Sequence, residues 1–211
     1  MKSGKKNNLS LDKFINLSLY NKEFGYYMKK NPFGKEGDFI TAPNISRLFS
    51  EMIAIWVVSF WKHLGSPKKF NLIELGAGNG EMMKVLIESF QNFPNFFNSC
   101  NIFIYEKSPS LIKTQQEKLG KNKIIWISKI KQIKKNPSIF VANEFFDSIA
   151  IKQFNKKENL WFEKFVSFKK KEKAFFFEKK FNIKKLEKKV HFKISKNCLL
   201  YTSDAADEED S

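Results

Sequence analysis

Phe70-Asn71-Leu72-Ile73-Glu74-Leu75-Gly76-Ala77-Gly78-Asn79-Gly80-Glu81 is the stretch on which the reading of the whole chain turns. Six mostly apolar residues suited to a buried strand run into three glycines at alternate positions, and residues 81–90 then carry a helical period. Glycine is required in such a turn because the chain reverses tightly and its backbone must approach a ligand with no side chain between. The helix that follows offers unpaired N–H groups at its start. The spacing is Glu-x-Gly-x-Gly-x-Gly, and Glu81 stands where the dinucleotide fingerprint Gly-x-Gly-x-x-Gly has its third glycine. The next apolar run, 102–105, is followed by Glu106, placed where a carboxylate can accept both hydroxyls of a ribose. Glu74, Gly76, Gly78, Gly80 and Glu106 are therefore candidate contacts to a nucleoside-bearing ligand. A nicotinamide dinucleotide site and a purely structural βα turn fit the same spacing.

Outward from this turn, strand and helix patterns alternate. Apolar runs at 70–75, 102–105, 124–127 and 139–142 are separated by helical patterns at 81–90 and 109–119. The second helix has Ser108 as N-cap, Pro109 in its first turn and Gly120 past its end. Such alternation predicts an α/β fold with a parallel sheet covered on both faces. Upstream, 11–20 reads as a short helix with Ser10 as N-cap. Residues 21–44 form a long connection punctuated by Gly25, Pro32, Gly34, Gly37 and Pro43. Connections of that length in compact domains are usually functional. Apolar residues from Ile45 to Leu64 then recur at helical spacing until Gly65-Ser66-Pro67 stops them. After Asp147 the pattern becomes an antiparallel meander, with strands at 149–154, 160–168 and 174–177, and 181–197 is helical in its first half. The chain thus divides into 1–66, helical and loop-rich; 67–148, a ligand-binding core; 149–197, a meander with a helix; and a compositionally separate 198–211.

With 211 residues, 42% of them hydrophobic, the chain can bury a core and is not disordered as a whole. Its 38 Lys+Arg against 22 Asp+Glu give a formal net charge of +16. Arg47 is the only arginine, however, and phosphate and base readout favour arginine, so nucleic acid is not the expected partner. Lysine, Phe, Ile and Asn all have A/T-rich codons, so a low-GC genome accounts for the charge. Two cysteines, Cys100 and Cys198, make no disulfide framework and suit a reducing compartment. His63 and His191 lie far apart and no cysteine or histidine cluster has zinc-ligand spacing, so no metal is expected. No apolar run approaches the roughly 18–20 residues of a membrane helix, and no membrane insertion is expected. These features suit a soluble, cytosolic protein of mixed structure.

From Cys198 the sequence reads CLLYTSDAADEEDS, with five acids and no lysine. It resembles the in-frame translation of a transposase adapter from sequencing libraries, and on that reading the natural protein is longer than 197 residues.

A second acidic group, Asn143-Glu144-Phe145-Phe146-Asp147, follows the fourth strand of the alternation, outside the carboxyl ends of the strands, where ligands sit in doubly wound sheets. Carboxylates there suit a guanidinium or amine nucleophile, which they can hold by charge-assisted hydrogen bonds; the same residues could simply cap the next element. Glu74–Gly80 with Glu106 resembles the S-adenosylmethionine-binding motif of class I methyltransferases. Gly25-Tyr26-Tyr27, Asn31-Pro32-Phe33-Gly34, Gly37-Asp38-Phe39-Ile40-Thr41-Ala42-Pro43-Asn44-Ile45-Ser46, Glu74–Gly80 and Ala142–Asp147 stand in the order and spacing of the MidA-like methyltransferase family, which the chain resembles from about Leu11 to Phe177.

The resemblance implies S-adenosyl-L-methionine as cofactor and a protein substrate, an arginine on a respiratory complex I subunit whose assembly the reaction supports. It implies that Gly76, Gly78 and Gly80 contact the cofactor through backbone, that Glu106 takes its ribose, and that Asp38 and Thr41 stand beside cofactor and substrate. Asn143 and Glu144 would face the transferring methyl, with Asp147 near. An assembly chaperone holding a structural cofactor, and an RNA methyltransferase, are the alternatives. Asn44 stands where the family usually has Glu. The family also continues well past the meander, so the expected fold is an incomplete Rossmann-like sheet with an open edge, poorly stable and weakly active.

Overall fold

A computed structural model of the chain describes residues 7–29, 32–33, 37–120, 122–168 and 173–191. Its strands are β1 (Asn7–Ser10), β2 (Phe70–Leu75), β3 (Cys100–Tyr105), β4 (Ile124–Ile127), β5 (Ser138–Ala142), β6 (Phe154–Lys157), β7 (Leu160–Phe168) and β8 (Phe175–Phe181). Its helices are α1 (Leu11–Tyr20), α2 (Tyr26–Lys29), α3 (Ala42–Ile45), α4 (Arg47–His63), α5 (Glu81–Phe90), α6 (Pro94–Ser99), α7 (Pro109–Leu119) and α8 (Ile183–Val190). The expected tail, 198–211, and Gly34 and Asn31 of the long connection lie outside the described residues.

Residues 19–148 make one compact unit around a parallel sheet of order β4-β3-β2-β5. The glycine-turn strand is central: Phe70 is opposite Cys100 and Leu75 opposite Tyr105 on one side, and Leu72 is opposite Ile139 on the other. β2 is buried at every position but its last, as a strand flanked by two others and covered by helices must be. One sheet face carries Leu72, Ile104 and Val141 into a core shared with Val57 of α4 and Met83 and Leu86 of α5. At its base the Phe96 ring lies 4.6–5.5 Å from those of Phe90, Phe70 and Trp61. Each such fully buried side chain contributes roughly 1.5–3 kcal/mol. Asn71, fully buried within β2, donates to the Lys134 carbonyl at 2.8 Å and so fixes the approach to β5.

α7 begins and ends as its sequence predicts: Ser108 Oγ accepts from Leu111 N, and Gly120 closes the helix at φ +61°. α4 occupies the helical run expected before Gly65, and only one of its faces is buried. Ala54, Val57, Val58 and Trp61 face the core, while Leu48, Met52, Ile55 and Trp56 are more than half exposed. The helix is apolar nearly all round, so periodicity alone leaves the buried stripe undetermined.

A second unit comprises residues up to Ser18 together with those from Ile149 onward. The residues of the expected 1–66 segment therefore fall in both units. Here β7 is the centre of an antiparallel sheet, with β8 along one edge and β6 and β1 along successive parts of the other. β6 occupies 154–157 rather than the predicted 149–154. The two-residue loop Glu158-Asn159, with Glu158 at φ +53°, pairs Lys157 with Leu160 and so draws the strand toward the turn. Ser10 directly precedes α1, as expected of its N-cap, and also ends β1, whose pairing with β7 sets it opposite Phe165. The nearly buried Glu163 accepts from Lys152, which also pairs with Asp12 at 3.5 Å.

Candidate functional site

The glycine turn leaves β2 at the carboxyl end of the parallel sheet. Gly76, Gly78 and Gly80 all have positive φ, +68°, +53° and +80°. Gly76 N donates to the Tyr105 carbonyl at 3.0 Å, which pins the turn to the neighbouring strand. A Cβ on Gly76 would lie 2.7 Å from the Phe145 ring, and one on Gly78 would press at 3.4 Å on that of Phe33. The turn is thus a bare stretch of backbone between two aromatic walls.

Two carboxylates underlie it. Glu74 is 2% exposed, and its Oε2 is buried with no hydrogen-bond partner among the described residues. Desolvation, and then the nearby Glu106 charge, push its pKa up to about 8. Glu106, also buried, accepts at Oε1 from the backbone N–H groups of Lys107 (2.8 Å) and Ser108 (2.9 Å), and at Oε2 from the Gln115 amide (3.3 Å). Burial raises its pKa against the opposing pull of these bonds. A carboxylate has about four acceptor positions, so Oε2 keeps one for a ligand.

Gln115 is a residue that sequence reading missed. It is fully buried on α7, its amide also donates to the Gly78 carbonyl at 2.9 Å, and its Oε1 accepts from the Trp126 indole at 2.9 Å. The available signal was a polar side chain between Leu111 and Leu119 on an otherwise apolar stripe.

The long connection reaches the turn through side chains. Thr41 Oγ1 accepts from Asn44 Nδ2 at 2.9 Å, Asn44 Oδ1 accepts from Asn79 Nδ2 at 2.8 Å, and Asn79 Oδ1 accepts from Glu81 N at 3.2 Å. Asn44 is thus the link between loop and glycine turn. Asp38, exposed, accepts from the Tyr26 hydroxyl at 2.5 Å. Desolvation and this carboxylate raise the Tyr26 phenol to about 12. Tyr27 stacks at 10° on Phe33, and its phenol is raised by desolvation, Tyr20, Asp147 and Glu106.

Beyond β5, Asn143 is half-buried and donates weakly to Glu144 at 3.4 Å. Glu144 is exposed and holds φ +51°, a conformation that costs a non-glycine residue on the order of 1–3 kcal/mol and concentrates at functional sites. Asp147 is exposed in a short 3-10 turn, Phe146–Ser148. Among the described residues, no group of His, Cys, Asp and Glu could hold a metal ion, and no helix is long and apolar enough to cross a membrane.

A glycine turn bare of side chains, a buried carboxylate oxygen with no partner among the described residues, and a second acid at the end of the adjacent strand fit a nucleoside ligand that also carries a cationic amine. The sheet order with this turn at its carboxyl ends defines a Rossmann-like α/β protein of the class I methyltransferase type. A sequence-family model of S-adenosyl-L-methionine-dependent methyltransferases matches residues 52–207, and the chain belongs to that family. It is similar to the protein arginine methyltransferase NDUFAF7, mitochondrial, of Xenopus tropicalis, 31% identical over 179 residues that cover 74% of this chain and 42% of the relative. The Homo sapiens protein of that name is 29% identical over 182 residues, 75% of this chain and 41% of its own. A Burkholderia thailandensis protein solved with S-adenosyl-homocysteine bound matches at TM-score 0.68 and 23% identity, over 82% of this chain and 46% of that one, a likeness of fold. The chain spans less than half the length of the relatives it matches.

Proposed function

We propose that the protein transfers a methyl group from S-adenosyl-L-methionine to an arginine of a protein, a respiratory complex I subunit whose assembly the modification supports. The observation that carries this reading is the buried Glu74 oxygen beneath the glycine turn, without a hydrogen-bond partner among the described residues, in a chain whose relatives bear the name protein arginine methyltransferase. When bound, the cofactor supplies an electrophilic methyl group. Gly76, Gly78 and Gly80 give it bare backbone, Glu74 takes its amine, and Glu106 takes ribose through the remaining acceptor of Oε2. Asp38 and Thr41 hold the long connection beside it, Thr41 through the Asn44–Asn79 chain.

Glu144 and Asp147 hold the substrate guanidinium by charge-assisted hydrogen bonds, and Asn143 steadies Glu144. As one guanidinium nitrogen gains the methyl it gives up one proton, which a carboxylate in reach accepts and passes to water. The compartment is the bacterial cytoplasm, or the mitochondrial matrix where the cell has one.

Titration calorimetry of the chain with S-adenosyl-homocysteine and with NAD, followed by transfer of labelled methyl to arginine peptides of complex I subunits, tests the reading. Binding of the homocysteine compound alone, with label on arginine, is the expected result. Binding of NAD alone, or label on RNA instead of protein, refutes it. Glu144→Gln is expected to lower transfer with cofactor affinity kept. A variant that still supports complex I assembly without any transfer would favour the chaperone reading.

A further inference from the structure

At the mouth of the site the chain seats one of its own cations on aromatic rings. The Lys107 ammonium lies 5.4 Å from the centre of the Tyr20 ring and 5.8 Å from that of Tyr105, within the range of cation–π attraction. Tyr105 is the last residue of β3, and Lys107 follows directly on Glu106, so the seat adjoins the proposed ribose carboxylate. Its other wall belongs to the acidic segment after β5. Tyr20 donates its hydroxyl to the Ser148 carbonyl at 3.2 Å, one residue from Asp147. Tyr27, whose phenol feels both Asp147 and Glu106, stands with its ring 5.8 Å from that of Tyr20. The two aromatic faces form a surface suited to a cation, with Glu106 next in sequence to Tyr105 and Asp147 and Glu106 both acting on the neighbouring Tyr27, and the Lys107 that occupies it is exposed.

We propose that this seat receives the guanidinium of the substrate, and that the Lys107 ammonium is a resident competitor which the substrate displaces. The inference rests on the arginine-methylation reading and names the residues that would select its substrate. A guanidinium is the better occupant, because it is planar, weakly hydrated and stacks on ring faces, whereas an ammonium is a compact and strongly hydrated charge. The two would therefore exchange in the direction of arginine, with Lys107 moving out to solvent. Displacement also leaves the Glu106 and Asp147 carboxylates to balance the incoming charge. Tyr20 and Tyr105 are thus positioning and specificity residues, and Lys107 sets the affinity the substrate must exceed.

The test uses the full chain saturated with S-adenosyl-homocysteine, and three probes: N-acetyl-arginine amide, its neutral citrulline analogue and the lysine amide. Tyrosine ring resonances report binding. Lys107→Met, which keeps the stem and removes the charge, is expected to bind the arginine probe about fivefold more tightly, with the citrulline probe and S-adenosyl-homocysteine unchanged. Tyr20→Leu is expected to weaken the arginine probe by a similar factor, whereas Tyr20→Phe keeps it within about twofold, since the ring and not the hydroxyl faces the cation. Unchanged or weaker arginine binding in Lys107→Met overturns the proposal, as does a Tyr20→Phe loss equal to that of Tyr20→Leu or an equal response to citrulline. Tighter binding of lysine than of arginine overturns it too. Selective arginine binding without methyl transfer to any arginine peptide leaves the seat standing and removes the activity reading. Transfer to arginine that Lys107→Met leaves unaltered does the reverse.

Discussion

Replacing Glu74 by Gln separates the electrostatics of the site from its shape. In the folded chain the Glu74 carboxyl is 2% exposed and its pKa stands at about 8, against 4.5 for the free side chain. At about 1.36 kcal/mol per pH unit, ionising it in place costs on the order of 5 kcal/mol. Desolvation causes most of this and the Glu106 charge adds to it. The sign follows from proton counting. Between pH 4.5 and about 8 the native state holds a proton that the unfolded chain has released, so the contribution of Glu74 to stability falls as pH rises through that window and is constant on either side.

Gln carries no charge at any pH, so Glu74→Gln abolishes this slope. Its buried amide would cost about 1–3 kcal/mol if left unpaired, but that cost does not vary with pH. Denaturant unfolding of both proteins at intervals from pH 5 to 9 is the assay. The variant is expected to gain about 4 kcal/mol relative to the parent across that range. A difference constant to within about 1 kcal/mol would show that the carboxyl is ionised as freely as in water, and the account of the turn would fall. The same carboxyl gives the ligand a signature. At pH 7 a group of pKa about 8 is roughly nine-tenths protonated, so an amine ligand that ionises it releases most of one proton per molecule bound, an amount calorimetry in buffers of different ionisation enthalpy reads directly.

Three further outcomes are expected. Gly76→Ala places a Cβ 2.7 Å from the Phe145 ring at φ +68°, at a cost of about 1–3 kcal/mol, and lowers S-adenosyl-homocysteine affinity at least about tenfold by calorimetry. Gly65→Ala, at φ +81° but with open space around it, costs backbone strain and leaves that affinity unchanged. Phe96→Ala removes the ring packed among Trp61, Phe70 and Phe90 and should lower unfolding free energy by about 3–5 kcal/mol in a denaturant titration. Asp38→Asn takes away the carboxylate to which Tyr26 donates, so ultraviolet titration should find that phenol ionising below 12 and nearer to 10.

What could be read in advance divides along the distance over which residues act. The parallel sheet, the helices α5 and α7 and the glycine turn follow from local signals: apolar runs of strand length, a Ser-Pro cap, glycines where φ must be positive. Asn7–Ser10 gave no such signal, since a four-residue polar edge strand exists only because β7 lies opposite to pair with it. β6 lies outside the apolar run for a related reason, as its register is set by the turn at Glu158-Asn159 and not by the apolar residues before it. At the site, residue types pointed to Glu74 and Glu106 as acids near a ligand, yet not to their different states. Glu106 accepts from two backbone N–H groups and an amide, whereas one oxygen of Glu74 has no partner among the described residues, a distinction that depends on where α7 carries Gln115. The same holds for the aromatic seat. Tyr20, Tyr105 and Lys107 are unremarkable as residues, and only the fold brings two ring faces and a cation together beside Glu106. A sequence can thus name candidate residues when they lie on one turn, whereas a cluster of side chains from separate elements shows itself only once those elements have packed.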